Sequence, residues 1–416
     1  MAGTEPDLLD HGSGRPRRRT VIAAAVAVAL LAGLGALRLF SVPHARPPST
    51  SFGPVAHRLT SADARQCGQE LPPPPGVGGP PDAGYVRTMA QIHPIIAPHF
   101  ETAEEAGRWL PGDAPVLVVT VGSVTRAYPL AILQWHEVVD DVVAGQPIAV
   151  TYCPLCNTGV VYSRRQGHHD VVLAASGMLL EGALVLGAEG SNLLWAQPTG
   201  RPFPNFGRMG PPLAWLPSDE LSLRQAAREH PGLQVLSRNT GFVRPYALSP
   251  YGDVARPHSL PALVSGFIDM RLPPKTRVVG VTVNDHAYAW QYDALRTARL
   301  RQATVGGTPV LALFRDNVTG IGDAYDLDGA PVVGSAGVYD ARIDGRTLDF
   351  VSGRSGIVTD TQTDTQWSTS GFGLSGPLTG RRLTPLRFLD TYWFAWAAFH
   401  HDTVVWPPIT TSTCSP

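Results

Sequence analysis

The sequence predicts a mainly β fold with short helices (an α+β protein), arranged as two tandem copies of a β-rich module behind an N-terminal transmembrane helix. Three observations carry this. Gly (43) and Pro (39) are both abundant among 416 residues, which favours short strands joined by many turns over long helices. One pattern of β-branched and alternating residues around a turn occurs twice in the same order. Residues 21–37 contain no charge and are built from Ala, Val, Leu, Ile and Gly.

That uncharged run lies at the short end of what spans a bilayer. Arg15, Arg17, Arg18 and Arg19 precede it, and only Arg38 and Arg46 follow closely. The excess of positive charge on one side places residues 1–19 in the cytoplasm and the body outside. The rival reading is a cleaved signal peptide, but no good small-x-small site follows the run. The chain thus divides into a cytoplasmic tail (1–19), a membrane helix (20–40), a Pro-rich linker (41–84), a first module (85–260), a second, degenerate module (261–406) and a tail (407–416). The expected localisation is the cell membrane, single pass.

Composition narrows the function classes. Net charge is −1 and charged residues are 16%, so no basic field suggests a nucleic-acid partner. No Walker loop, no Gly-x-Gly-x-x-Gly after a strand and no Gly-x-Ser-x-Gly elbow is present, which removes the usual signs of nucleotide binding and serine hydrolysis. The sequence fixes no enzyme class and names no protein or small-molecule partner.

Along the body, residues 102–110 predict a short helix, with Thr102 as cap and Pro111-Gly112 as stop. The stretches 114–133 and 276–295 then align without a gap. Val116, Val119, Thr120 and Val121 match Val278, Val281, Thr282 and Val283, and Gly122-Ser123 matches Asn284-Asp285 between two strand-like runs. That is a hairpin signal. Each copy continues through Gly-x-Pro into an apolar strand, at Gly145-Gln146-Pro147 and Gly307-Thr308-Pro309. Strands are expected near 116–121, 125–128, 147–152, 159–163, 170–175, 183–187 and 192–196, and helices near 222–229 and 390–399. The aromatics Tyr392, Trp393, Phe394, Trp396 and Phe399 read as core at helical spacing.

The sharpest local signal is Tyr152-Cys153-Pro154-Leu155-Cys156-Asn157-Thr158. Two thiols two residues apart close a disulfide or grip a metal ion. The setting reads as strand, tight loop, strand, whereas a thioredoxin-type pair sits at a helix N-terminus that lowers the first thiol's pKa. A closed zinc or iron site needs four ligands, and no second Cys pair exists. The comparable place in the second copy has Phe314-Arg315-Asp316-Asn317. A two-thiolate site for a soft ion, with or without His136, stays open, as do redox exchange through Cys153 and Cys156 and a structural disulfide. The cofactor is unknown, with copper, zinc or iron as candidates. Glu137, Asn157 and Thr158 are the nearby polar residues; Glu137, Asp140 and Asp141 read as a solvated face, and His168-His169 as a solvated turn. Cys67 and Cys414 flank the modules and are a candidate disulfide, or two unpaired thiols.

Several of these motifs occur together in one known family. Arg126-Ala127-Tyr128-Pro129-Leu130, Trp135-His136-Glu137, Thr151 to Thr158, Ser176-Gly177-Met178-Leu179, Leu194-Trp195-Ala196-Gln197 and Leu236-Ser237-Arg238-Asn239-Thr240-Gly241-Phe242 resemble the bacterial and archaeal domain-of-unknown-function 3179 family, over residues 85–406. The resemblance implies no reaction. It singles out Cys153, Cys156, His136 and Glu137 as motif positions. Where it implies Tyr-Asn-Ser after Leu179, this chain has Leu180-Glu181-Gly182, so any role of that tyrosine or asparagine is absent or altered here.

Overall fold

The computed structural model describes residues 92–408 except 204–208, 253, 257–258, 262–263, 265 and 354–356, together with the short strands Gly68–Leu71 and Tyr85–Arg87. The expected membrane helix at 20–40 and both Cys67 and Cys414 lie outside the described residues. Among the described residues, no helix is long and apolar enough to cross a membrane.

The fold is mainly β with short helices. Strands Pro115–Val121 and Val124–Pro129 form a hairpin closed by the Gly122-Ser123 turn. Helix Leu130–His136 follows, then the antiparallel run Val138–Val143, Gln146–Cys153 and Thr158–Ser163. Ser218–Ser222 returns antiparallel beside the first strand, and helix Leu223–Glu229 leads to Gln234–Leu236, parallel to the second. Residues 277–406 also contain a hairpin, Arg277–Val283 with His286–Gln291, and a helix, Tyr292–Ala298. Strands Leu300–Val305, Thr308–Arg315 and Ser335–Asp340 form an antiparallel sheet. Phe388–Tyr392 returns antiparallel on the hairpin, and helix Trp393–Phe399 leads to the parallel strand Val404–Trp406.

Four sequence expectations change. The helix expected at 390–399 begins only at Trp393, because Asp390, Thr391 and Tyr392 complete a strand against Arg277–Val283. The strand expected at 170–175 is two, His169–Asp170 and Leu173–Leu180. Helices Leu130–His136 and Tyr292–Ala298 are additional to the expected elements; each is seven residues with no side-chain cap, too short to show a helical period. Gly68–Leu71, inside the expected linker, pairs antiparallel with Gly266–Asp269.

The expected solvated face at Glu137, Asp140 and Asp141 is a correction of another kind: all three are buried. Strand Val138–Val143 is covered on both sides, with Val138 in one core cluster and Val139 and Val143 in another. Buried carboxyls must then find donors. Asp140 accepts the Leu173 N–H at 2.9 Å and lies 3.4 Å from Arg164. Asp141 accepts from Tyr128 at 2.5 Å and from Arg126 at 2.6 Å.

One core spans both halves of the body. Cys153, Cys156, Tyr162 and Trp195 pack in the same cluster as Val278, Tyr392, Trp393 and Trp396. The cysteine turn is therefore an internal element, placed by strands from each half.

Candidate functional site: a buried dithiol turn

Cys153 ends one strand and Thr158 opens the next, the two facing each other in register. Pro154, Leu155, Cys156 and Asn157 make the turn. Asn157 adopts φ +52°, a left-handed conformation that Asn tolerates better than most residues. Both cysteines are free and buried, with exposures of 1% and 0%. The Cys156 sulfur lies 3.8 Å from the Cys153 carbonyl oxygen. Burial, and then the neighbouring Cys156, push the Cys153 thiol well up, so that sulfur keeps its proton while no cation compensates the charge.

The second half clamps this turn. The Cys156 carbonyl accepts from the Tyr392 N–H at 3.0 Å and from the Thr391 hydroxyl at 2.9 Å, and Thr158 bonds Thr391 at 2.7 Å. Gln197 donates to the Thr151 hydroxyl and the Thr158 carbonyl, both at 3.0 Å. Tyr152 donates to Asn157 Oδ1 at 3.1 Å. Around the turn, Asn157 Nδ2, Gln197 Oε1 and Tyr392 OH are buried without a hydrogen-bond partner. Such atoms are uncommon in folded proteins and mark places where a further polar group fits.

The Trp135-His136-Glu137 motif performs a different task. Each of its residues holds one loop, residues 246–251. Trp135 Nε1 donates to the Leu248 carbonyl at 3.1 Å, His136 Nε2 meets Tyr246 OH at 2.8 Å, and Tyr251 donates to Glu137 Oε1 at 2.8 Å. His136 Nδ1 faces the His93 carbonyl at 2.9 Å. A carbonyl only accepts, so Nδ1 carries the proton and the ring's one lone pair is taken by Tyr246. Burial lowers the His136 pKa and favours that neutral form. In this arrangement the imidazole has no lone pair free for the cysteines.

Glu137 is the residue of the motif whose charge reaches Cys153. It has φ +56° and is buried, and burial pushes its carboxyl up to about 7. Its charge bears on Cys153, and its carbonyl accepts the Tyr152 N–H at 2.8 Å. The fold thus groups Cys153, Cys156, Glu137, Asn157 and Thr158, and directs His136 toward Tyr246. It also brings in Gln197, Tyr251, Thr391 and Tyr392, which sequence reading did not assign to the site. Gln197 stands in a motif already quoted; Thr391 lies in an ordinary strand, and no local signal marks it. Among the described residues, no group of three or more His, Cys, Asp or Glu side chains is placed to hold a metal ion.

Fold and site together define a mainly β protein with one internal, solvent-shielded cysteine pair. A family model described as a protein of unknown function (DUF3179) matches residues 90–403, and the chain belongs to that family. No curated protein and no solved structure matches the chain.

Proposed function

We propose that this is a membrane-anchored, extracytoplasmic protein whose Cys153–Cys156 turn holds a soft metal ion, Cu(I) in first place. The observation that carries the reading is a pair of free, fully buried cysteines, one ending a strand and the other inside the four-residue turn that follows it. Two thiolates are a sufficient donor set for Cu(I), whereas zinc and iron–sulfur centres call for about four ligands. A monovalent ion would offset one of the two charges that burial otherwise forbids. Thiol–disulfide exchange is less well supported: neither sulfur is open to an attacking disulfide, the pair lies between two strands and not at the start of a helix, and the Cys153 thiol is raised.

The same reading makes the body a duplicated scaffold with one functional half. The similar run of hairpin, helix and returning strand in 115–236 and 277–406 supports this. Arg315 ends its strand as Cys153 ends its own. A guanidinium there binds no soft cation.

Metal analysis combined with a thiol count tests the site. Protein purified anaerobically with Cu(I) should carry one ion per chain and show two protected thiols. Cys153→Ser or Cys156→Ser should weaken retention by more than about 100-fold, beyond what loss of an outer-shell contact produces. Metal held equally by the double serine variant, or a Cys153–Cys156 disulfide that excludes metal, overturns the assignment. The anchor has its own test, motivated by the arginine cluster before the apolar run at 21–37. A topology reporter fused after Pro416 should be active only outside the cytoplasm; cytoplasmic activity overturns that orientation.

A further inference from the structure

Away from the cysteine turn, a cleft of about 700 Å³ opens against the 277–291 hairpin, within the size range of small-molecule sites. Its floor is one face of the sheet formed by Phe388–Tyr392, Arg277–Val283 and His286–Gln291. The register sets Gly280 opposite Ala289 and Leu389, and Thr282 opposite Ala287. Helix Trp393–Phe399 covers part of that face. Trp396 sits directly on Gly280, where a Cβ would come within 2.3 Å of the ring. Beyond Trp396 the floor side chains are short, and the face stays open.

The walls are cationic. Arg387 donates to the carbonyls of Pro198 and Thr199, which ties the 198–201 turn to the edge of the cleft. Those partners are neutral, so Arg387 keeps its full charge. The exposed guanidinium of Arg201 makes no hydrogen bond or ion pair with any described residue. His400 stacks on Trp396 with ring centroids 3.8 Å apart and bonds the Trp396 carbonyl at 3.1 Å. Burial first, and then Arg387, Arg201 and His401, push His400 down to about 4, against the pull of that bond. The positive field of this wall therefore reaches the cleft's interior. His286 and the acidic Asp285 and Asp402 also line the cleft.

We propose that this cleft binds a small molecule bearing an oxyanion, a phosphate or a carboxylate, held between Arg201 and Arg387. Two guanidinium groups with no carboxylate partner among the described residues, beside a recess of small-molecule size, are matched to such a group in charge and in hydrogen-bond geometry. Arg387 is the preset donor and Arg201 the one that gains its partner on binding.

Calorimetric titration of the full chain in detergent at low ionic strength, with inorganic phosphate and with citrate as probes, tests this. At least one probe should bind saturably, with Kd in the micromolar to millimolar range, and binding should weaken as salt is added. Phosphate alone or citrate alone each supports the site and tells which oxyanion it prefers. Arg201→Glu should weaken binding by at least about tenfold, the equivalent of about 1.4 kcal/mol, and Arg201→Ala by less, with the unfolding temperature unchanged. No saturable heat from either probe up to about 10 mM, a range that would reveal even millimolar binding, overturns the proposal. So does an Arg201→Glu variant that binds as tightly as the original chain.

Discussion

Arg315→Met is expected to destabilise the protein by about 3–5 kcal/mol, the cost of breaking a buried ion pair from one side. The Arg315 side chain is 1% exposed. It donates to Asp219 at 2.7 Å, to Tyr339 OH at 2.9 Å, and to the carbonyls of Ala336 and Glu220 at 2.6 and 3.2 Å. Methionine fills similar space and supplies none of these donors. Asp219 would keep only longer contacts, Arg382 at 3.3 Å and the Tyr339 hydroxyl at 3.4 Å, and two carbonyls would lose a donor. Because Glu220 and Asp219 belong to the strand beside Pro115–Val121 while Arg315 belongs to the second half, the lost bonds are ones that dock the two halves. Urea unfolding should show the midpoint falling with an unchanged slope. Arg315→Lys keeps the charge without the fork and should fall between. Combining Arg315→Met with Asp219→Asn should recover part of the loss, since the stranded charge is gone. A loss below about 1 kcal/mol for Arg315→Met, the level of an exposed pair, would show that the contact contributes little.

Stability should fall as pH rises through and beyond neutrality, and Glu220→Gln should flatten that fall. Glu220 and Asp390 are both buried, and both carboxyls are held above the usual carboxylate range. Burial is the main cause for each; repulsion from Asp390 adds to it at Glu220, while Arg277 and a bond from Tyr292 pull Asp390 back. The sign follows from proton counting. The folded chain binds more protons than the unfolded chain between the two sets of pKa values, so stability decreases with pH over that interval. The contribution is complete only in acid, below about pH 3, where the carboxyls are protonated in both states. It is lost progressively as pH rises through the raised folded values. Each unit by which a carboxyl is raised corresponds to about 1.4 kcal/mol, so a loss on the order of 2–4 kcal/mol between pH 5 and 8 is expected from the pair. Glutamine keeps the shape of the side chain and cannot ionise. Unfolding midpoints measured at pH 5, 6, 7 and 8 decide the matter; parallel curves for the two proteins would mean that Glu220 does not titrate in this window.

The parts of the protein legible in its sequence are those set by neighbours along the chain. The hairpin at 115–129 follows from β-branched alternation around Gly122-Ser123, and the cysteine turn from a strand broken by Pro154 and Asn157. Turn chemistry and a period of two act over a few residues, so one chain suffices to read them. Family membership was legible for a similar reason, through short quoted motifs. Tertiary structure alone decided the rest. Asp140 and Asp141 looked solvated because a charged pair usually is; they are buried because strand Val138–Val143 is covered on both faces. His136 stood close enough to Cys153 in sequence to suggest a shared site, yet its lone pair went to Tyr246, 110 residues away. Residues 390–392 were drawn from the expected helix into a strand by the open edge of Arg277–Val283. Thr391 then caps the Cys156 carbonyl across 235 positions. Desolvation is the common reason. A buried polar group must take whichever partner the packed chain presents, and that choice is made in space and not along the sequence.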